Sequence, residues 1–208
     1  MLEGIATSRH EGPTLRLVNP PQHVKVLTDM GFDVEQIDEM ITLLRDRGVR
    51  DDSSEIIDGP FADKPFLKLQ QTRFSDGNLR VFYSALEVET AESETRHWHL
   101  KPLLDGVTPV RAFYRLAQCR FAGDVKDLRR KVDDWPFLIA DDGYTQCNQI
   151  GAEAAGAGLA GLLSRSARRP EGTTLPVFSK ASLSNVELHG YRIFSYDPAT
   201  GDVTVTLR

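Results

Sequence analysis

Apolar positions recur along this chain with two different periods, and the change from one to the other marks its organisation. From 33 to 48, Val34, Ile37, Met40, Ile41 and Leu44 fall at three- and four-residue intervals, which predicts an amphipathic helix. Asp33 and Gln36 fit a capping box, Phe32 stands where it can staple onto Ile37, and Gly48 closes the helix behind Arg45 and Arg47. Upstream, after a loop over 10–14, Pro20 and Pro21 can open a shorter helix carrying Val24, Leu27 and Met30 and ended by Gly31. So small a helical pair cannot bury its stripe alone. It is expected to dock on the rest of the chain or on another copy, which makes a homo-oligomer one expectation. The polar runs DDSSE at 51–55 and DGP at 58–60 then mark a junction, predicting an N-terminal helical extension over 1–60 and a second unit over 61–208.

Past the junction the period shortens to that of strands. Short aromatic and β-branched runs at 66–74, 80–86, 110–116, 119–121, 175–178, 191–196 and 203–207 read as strands, the last two joined through DPATGD as a hairpin. Three stretches differ. Glu89 and Thr90 open a helix on which Ala91, Glu94, Thr95 and Trp98 share a side, with Trp98 expected to face inward. The segment 145–157 is helical and ends at Gly158, and 159–163 is expected to be a strand leading to a serine-bearing loop. Short strands outnumber helices.

Composition narrows the classes. The chain has 208 residues, 40% hydrophobic and 26% charged, enough for a substantial core. A formal charge of -5 disfavours a general binder of nucleic acid or anionic membranes. Cys119 and Cys147 are too few for a disulfide framework and lie in no zinc-type spacing, so both are read as reduced thiols of a cytoplasmic protein. No leader-like start is apparent, and the apolar window 150–163 is too short to span a bilayer. Gly151, Gly156, Gly158 and Gly161 form no phosphate-cradling fingerprint, so close packing of a helix on a sheet is the simpler reason for them. His97 and His99, two apart on a helix, face different ways, and no metal site is expected.

The stretch RFSDGNLRVFYSALEVETAESE, 73–94, carries candidate chemistry in order: Arg73 after a predicted strand, Tyr83 within one, and Glu94 on an inward helix face. A carboxylate there is costly unless it is partnered or used. Read alone, the three residues favour a surface cation, a rim tyrosine and a solvated glutamate, since charged side chains usually sit on solvated surfaces. Spacing alone does not settle it.

The wider stretch TRFSDGNLRVFYSALEVETAESETRHWH, with DDGYTQCNQIGAEAAGAGLAGLLSRSARRPEGTTLPVF at 141–178, resembles the two halves of the RES domain of bacterial toxin and antitoxin pairs. The likeness spans about 66–195. It places the family's arginine, tyrosine, glutamate and serine on Arg73, Tyr83, Glu94 and Ser166. Many members read Gly-Gly-Arg-Trp-Asn where this chain has QQTRFSDGN, and proline where it has Arg165. Ser164 and Ser166 both stand near the loop, and Ser166 is preferred because Ala167 and Arg168 follow it as in the family. The resemblance implies an α+β fold of mixed small sheets with flanking helices, similar to the ADP-ribosyltransferase architecture, which the excess of short strands over helices fits, and an enzyme cleaving the nicotinamide-ribose bond of NAD+. NAD+ is then substrate rather than cofactor, inorganic phosphate or water is the acceptor, and the partner is an Xre-type antitoxin. A protein ADP-ribosyltransferase and a non-catalytic interaction module are the alternatives. In these roles Glu94 stabilises an oxocarbenium-like ribose, favoured as an anion by the start of its helix. Arg73 grips the diphosphate, Tyr83 offers a ring and a hydroxyl, Ser166 positions an oxygen, and Arg168 with Arg169 holds a phosphate.

Overall fold

The structure is a computed structural model. It describes residues 1–19, 27–28, 30–47, 65–66, 69–104 and 106–207, with only the backbone described for Val34, Asp38, Ile41, Leu44, Arg45 and Asp46. The junction proposed at residue 60, most of the first predicted helix, and Gly48 lie outside these residues.

The longest strands organise the fold. β5 (Val110–Asp127) was expected as two short strands but is continuous, because its alternation persists past Arg115 with Cys119, Phe121 and Val125 buried and Arg120 and Asp124 exposed. Bulges between Arg115 and Ala117 and between Gln118 and Arg120 bend it against β8 (Leu183–Asp197), which also runs longer than expected. β1 (Thr7–Val18) pairs antiparallel with β5 along its whole length, from Thr7 opposite Lys126 to Val18 opposite Arg115. This corrects the helical reading of 1–60 and the loop over 10–14. The first segment is a strand of the main sheet, and Pro13 is tolerated because β1 meets its other neighbour, β4 (Phe82–Ala85), only at Leu15.

The sheet runs β1, β4, β7 (Thr173–Val177), β6 (Gly161–Arg165), β5, β8 and β9 (Asp202–Leu207). Since β1 also pairs with β5, the first five strands close on themselves, and β8 with β9 continues outward as the expected hairpin. Among the described residues, only β5 and β6 pair in parallel. The fold is therefore α+β as expected, with the short strands gathered into one large sheet rather than several small ones.

Among the described residues, three helices of eight residues or more flank it. α1 (Val34–Asp46) starts with the expected capping box, Gln36 N–H donating to Asp33 Oδ1 at 2.8 Å and Asp33 N–H to Gln36 Oε1 at 3.1 Å. Its fully buried Ile37 packs on Tyr191 and Ile193 of β8, so this position of the stripe docks within the chain. α2 (Val88–Thr95) runs on through a π-helical turn over Arg96–Leu100 and buries Ala91 and Leu100 against Leu15, Leu17 and Tyr114. α3 (Thr145–Gly156) buries Cys147, Ile150 and Ala154 with Phe74, Leu138 and Leu162. The closed strands hold Phe82, Phe121, Leu175 and Val177 between them. Among the described residues no helix is long and apolar enough to cross a membrane.

Candidate active site

The segment 66–74, expected as a strand, is instead helical at 65–66 and ends in a tight hairpin of β2 (Gln71–Thr72) and β3 (Ser75–Asp76), with Arg73 and Phe74 at its tip. Gly77 has φ +101°, a value open to glycine, and Ser75 Oγ ties the hairpin by accepting from Gly77 N–H at 3.1 Å and donating to the Leu79 carbonyl at 2.9 Å. α3 holds the tip in place. A side chain at Gly151 would put its Cβ 2.0 Å from the Phe74 carbonyl oxygen, so the absence of one lets the helix touch the hairpin backbone directly. The glycine serves close packing as expected, but against the hairpin tip rather than the main sheet.

Arg73 is thereby buried, at 4% exposure, with its guanidinium 4.5 Å from the centre of the Tyr144 ring. Its Nη1 has no hydrogen-bond partner among the described residues. Tyr83 stands on β4 in reach of both the Arg73 and the Glu94 charge. Burial first, and then Glu94, push that phenol well above the usual tyrosine range.

Glu94 occupies the last turn of α2, not its start, so the helix dipole gives its ionised form no support and that expectation is corrected. Its support is local. Ser166, immediately after β6, donates from Oγ to Glu94 Oε1 at 2.7 Å and accepts from the Arg168 and Arg169 backbone N–H groups at 3.0 and 3.1 Å. Ser164 lies inside β6, fully buried, with its hydroxyl turned to the Arg165 carbonyl. Of the two serines, Ser166 is the one in contact with Glu94. Burial raises the Glu94 pKa, and the Ser166 hydrogen bond, Arg73, Arg168 and the Trp98 indole draw it back only in part. Trp98 does not enter the core: it is 43% exposed and shares the cleft side with Ala91, Glu94 and Thr95.

The serine loop rests on the start of α2. Glu87 Oε2 accepts from Thr90 Oγ1 at 2.7 Å and from Thr173 N–H at 2.8 Å, and Gly172 lies where a Cβ would meet Thr90 Oγ1 at 2.2 Å. Its two arginines diverge. Arg169 turns away to Glu171 at 2.9 Å and Thr90 at 3.3 Å. Arg168 lies within electrostatic reach of Glu94, pairs with the exposed Asp141, and keeps a buried Nε without a partner among the described residues.

These elements enclose a cleft of about 240 Å³, lined by Arg73, Tyr83, Glu94, Thr95, Trp98 and His99 and closed on one side by Leu15, Arg16 and Leu17 of β1. Arg16 escaped the sequence reading. It is a partly buried cation 5.4 Å from the Phe82 ring centre, paired with no carboxylate among the described residues, and burial pulls it down to about 10. The available signal was a single cation inside the apolar run Leu15, Leu17 and Val18. The walls thus present one carboxylate, Glu94, and two arginines, Arg16 and Arg73. That suits a ligand with an anionic body and a cationic or electron-poor reacting end. Among the described residues, no three His, Cys, Asp or Glu side chains gather to hold a metal ion.

Comparison with known proteins bears on this arrangement. The RES domain model matches residues 47–197. No curated relative matches the sequence. Among solved structures, the fold is similar to that of the MbcT toxin in the crystal structure of the M. tuberculosis MbcT-MbcA toxin-antitoxin complex, with a TM-score of 0.52 and 15% identity over 93% of this chain and 88% of that one. β1 and α1 both precede the matched interval, yet β1 completes both the sheet and the cleft. With well over half of its length matched, the chain belongs to the RES domain family.

Proposed function

We propose that this protein is a toxin-type enzyme that cleaves the nicotinamide-ribose bond of NAD+ and passes the ADP-ribose to inorganic phosphate, or to water when phosphate is absent. The observation that carries the reading is Glu94, a partly buried carboxylate fixed by Ser166 in a cleft it shares with Arg73 and Tyr83. In NAD+ the nicotinamide ring is cationic and the two phosphates are anionic. The diphosphate meets the Arg73 fork, whose Nη1 has no other partner among the described residues, with Arg16 as a second cation lining the cleft. The cationic ring and its ribose then fall to Glu94.

As the bond from the ribose carbon to the ring nitrogen breaks, its electron pair goes to the ring, which leaves as neutral nicotinamide. Positive charge passes to the ribose, and a fixed carboxylate beside it stabilises that state more than the ground state. The acceptor oxygen then bonds to the same carbon. Ser166 is assigned the positioning of Glu94, to whose carboxylate its hydroxyl donates. The acceptor phosphate falls to Arg168, whose Nε is unpartnered among the described residues, and not to Arg169, which is engaged by Glu171.

Incubation of the purified protein with NAD+, with and without millimolar phosphate, tests this by mass spectrometry. Expected is phosphate-accelerated loss of NAD+ with ADP-ribose phosphorylated at its anomeric carbon. Free ADP-ribose alone would leave a glycohydrolase, label retained on protein would indicate an ADP-ribosyltransferase, and no NAD+ loss by the folded protein would leave an interaction module. The solved neighbour is a toxin bound to its antitoxin, which supports an antitoxin partner here. Expression of the free chain should then lower cellular NAD+ and arrest bacterial growth, and a co-expressed Xre-type partner should prevent it.

A further inference from the structure

Tyr144 lies outside the residues given a role so far, yet three separate parts of the chain meet on it. Arg73, at the hairpin tip, lies over its ring at 4.5 Å. Arg168, in the serine loop, reaches its hydroxyl with Nη2 at 3.4 Å, and that hydroxyl donates to the Asp141 carbonyl at 2.7 Å. Trp98, beyond the end of α2, covers the ring with a centroid separation of 6.0 Å. Tyr144 is itself held, because it immediately precedes α3 and its carbonyl accepts from Asn148 N–H at 2.8 Å.

We infer that Tyr144 is a positioning residue that sets the places of both cations flanking Glu94. The geometry stands without the NAD+ reading, while its kinetic consequence rests on that reading. Two guanidinium groups turned toward one carboxylate repel each other and need a spacer. A second carboxylate would hold them but would neutralise the charge a diphosphate requires. An aromatic ring holds a guanidinium by its face and leaves the in-plane N–H groups free to donate. The phenol oxygen adds a neutral acceptor for the other cation. One side chain thus orders two cations without cancelling either. Asp141 offsets Arg168 only from the solvent side, where it is 82% exposed.

The roles of ring and hydroxyl separate in Tyr144→Phe and Tyr144→Leu. Side-chain ¹⁵N spectra of arginine, assigned with Arg73→Lys and Arg168→Lys, read the geometry without any turnover. Tyr144→Leu should move both the Arg73 and Arg168 Nε–H signals toward those of free arginine, and Tyr144→Phe should move that of Arg168 alone. In kinetics, Tyr144→Leu should raise KM for NAD+ by about ten- to thirtyfold, the scale of a desolvated cation-ring contact, with a smaller change in kcat. Tyr144→Phe should raise KM less, while both variants raise the phosphate concentration needed for half-maximal rate. An unmoved Arg73 signal in a Leu variant that melts like wild type overturns the inference. Should the Leu variant fail to fold, an unmoved Arg168 signal in Tyr144→Phe overturns it instead. A wild-type protein that consumes no NAD+ refutes the proposed function alone, since the arginine signals still decide the place of Tyr144.

Discussion

Replacing Ser166 with alanine isolates what the serine does for Glu94. The hydroxyl donates to Glu94 Oε1 at 2.7 Å, and it is the first of the influences that oppose burial in setting the carboxyl pKa. A hydrogen bond to a charged group contributes about 1.5–3 kcal/mol. Its loss should therefore cut the ratio of carboxylate to carboxylic acid roughly ten- to a hundredfold at any pH below the titration. Glu94 already titrates above the ordinary glutamate value of 4.5, so the change raises it further. If the ionised form is the one that acts, the acid limb of the kcat/KM profile for NAD+ should move to higher pH in Ser166→Ala, with part of the lost rate recovered on the alkaline side. Two backbone N–H groups, of Arg168 and Arg169, lose their acceptor as well, so a melt and a circular dichroism spectrum must accompany the profile. A rate depressed equally at every pH, with the limb unmoved, would refute the reasoning and make Ser166 a substrate contact rather than a support for Glu94.

Three further perturbations test other parts of the site. Glu94→Gln should lower kcat/KM by about 10²–10³-fold, as for loss of one transition-state electrostatic group. Because the folded state binds the Glu94 proton more tightly than the unfolded state, wild-type stability falls as pH rises from the unfolded value through the raised folded one. Glu94→Gln should therefore melt no lower than wild type at neutral pH, and a lower melting point would count against the raised pKa. Arg73→Lys keeps the charge but loses the planar fork and its contact with Tyr144, so KM for NAD+ should rise at least tenfold in titrations at fixed ionic strength. Gly151→Ala drives a methyl into the Phe74 carbonyl, and a cost of about 1–3 kcal/mol should appear as a lower melting temperature together with reduced turnover, because the displaced hairpin carries Arg73.

Local chemistry was enough for part of this protein. The Asp33 and Gln36 box, the strand at Tyr83, the helix bearing Glu94, the 145–157 helix and the C-terminal hairpin each follow from caps, turns and periodicity within a dozen residues, and the structure repeats them. The order Arg73, Tyr83, Glu94 and Ser166 was also legible, through its likeness to a family pattern. What pairing decides was not. Thr7–Val18 mixes a histidine, a glycine, a proline and charged residues and carries no strand signal of its own, yet it runs beside β5 for twelve residues, because an antiparallel partner supplies what local propensity lacks. Arg16 and the cleft wall came with that strand, unread. The burial of Arg73 depends on Gly151, seventy-eight positions away, letting α3 reach the hairpin, and the proton affinity of Glu94 depends on Ser166 and on burial rather than on its place in a helix. Those are sums over neighbours distant in the chain, and only the folded sheet brings the neighbours together.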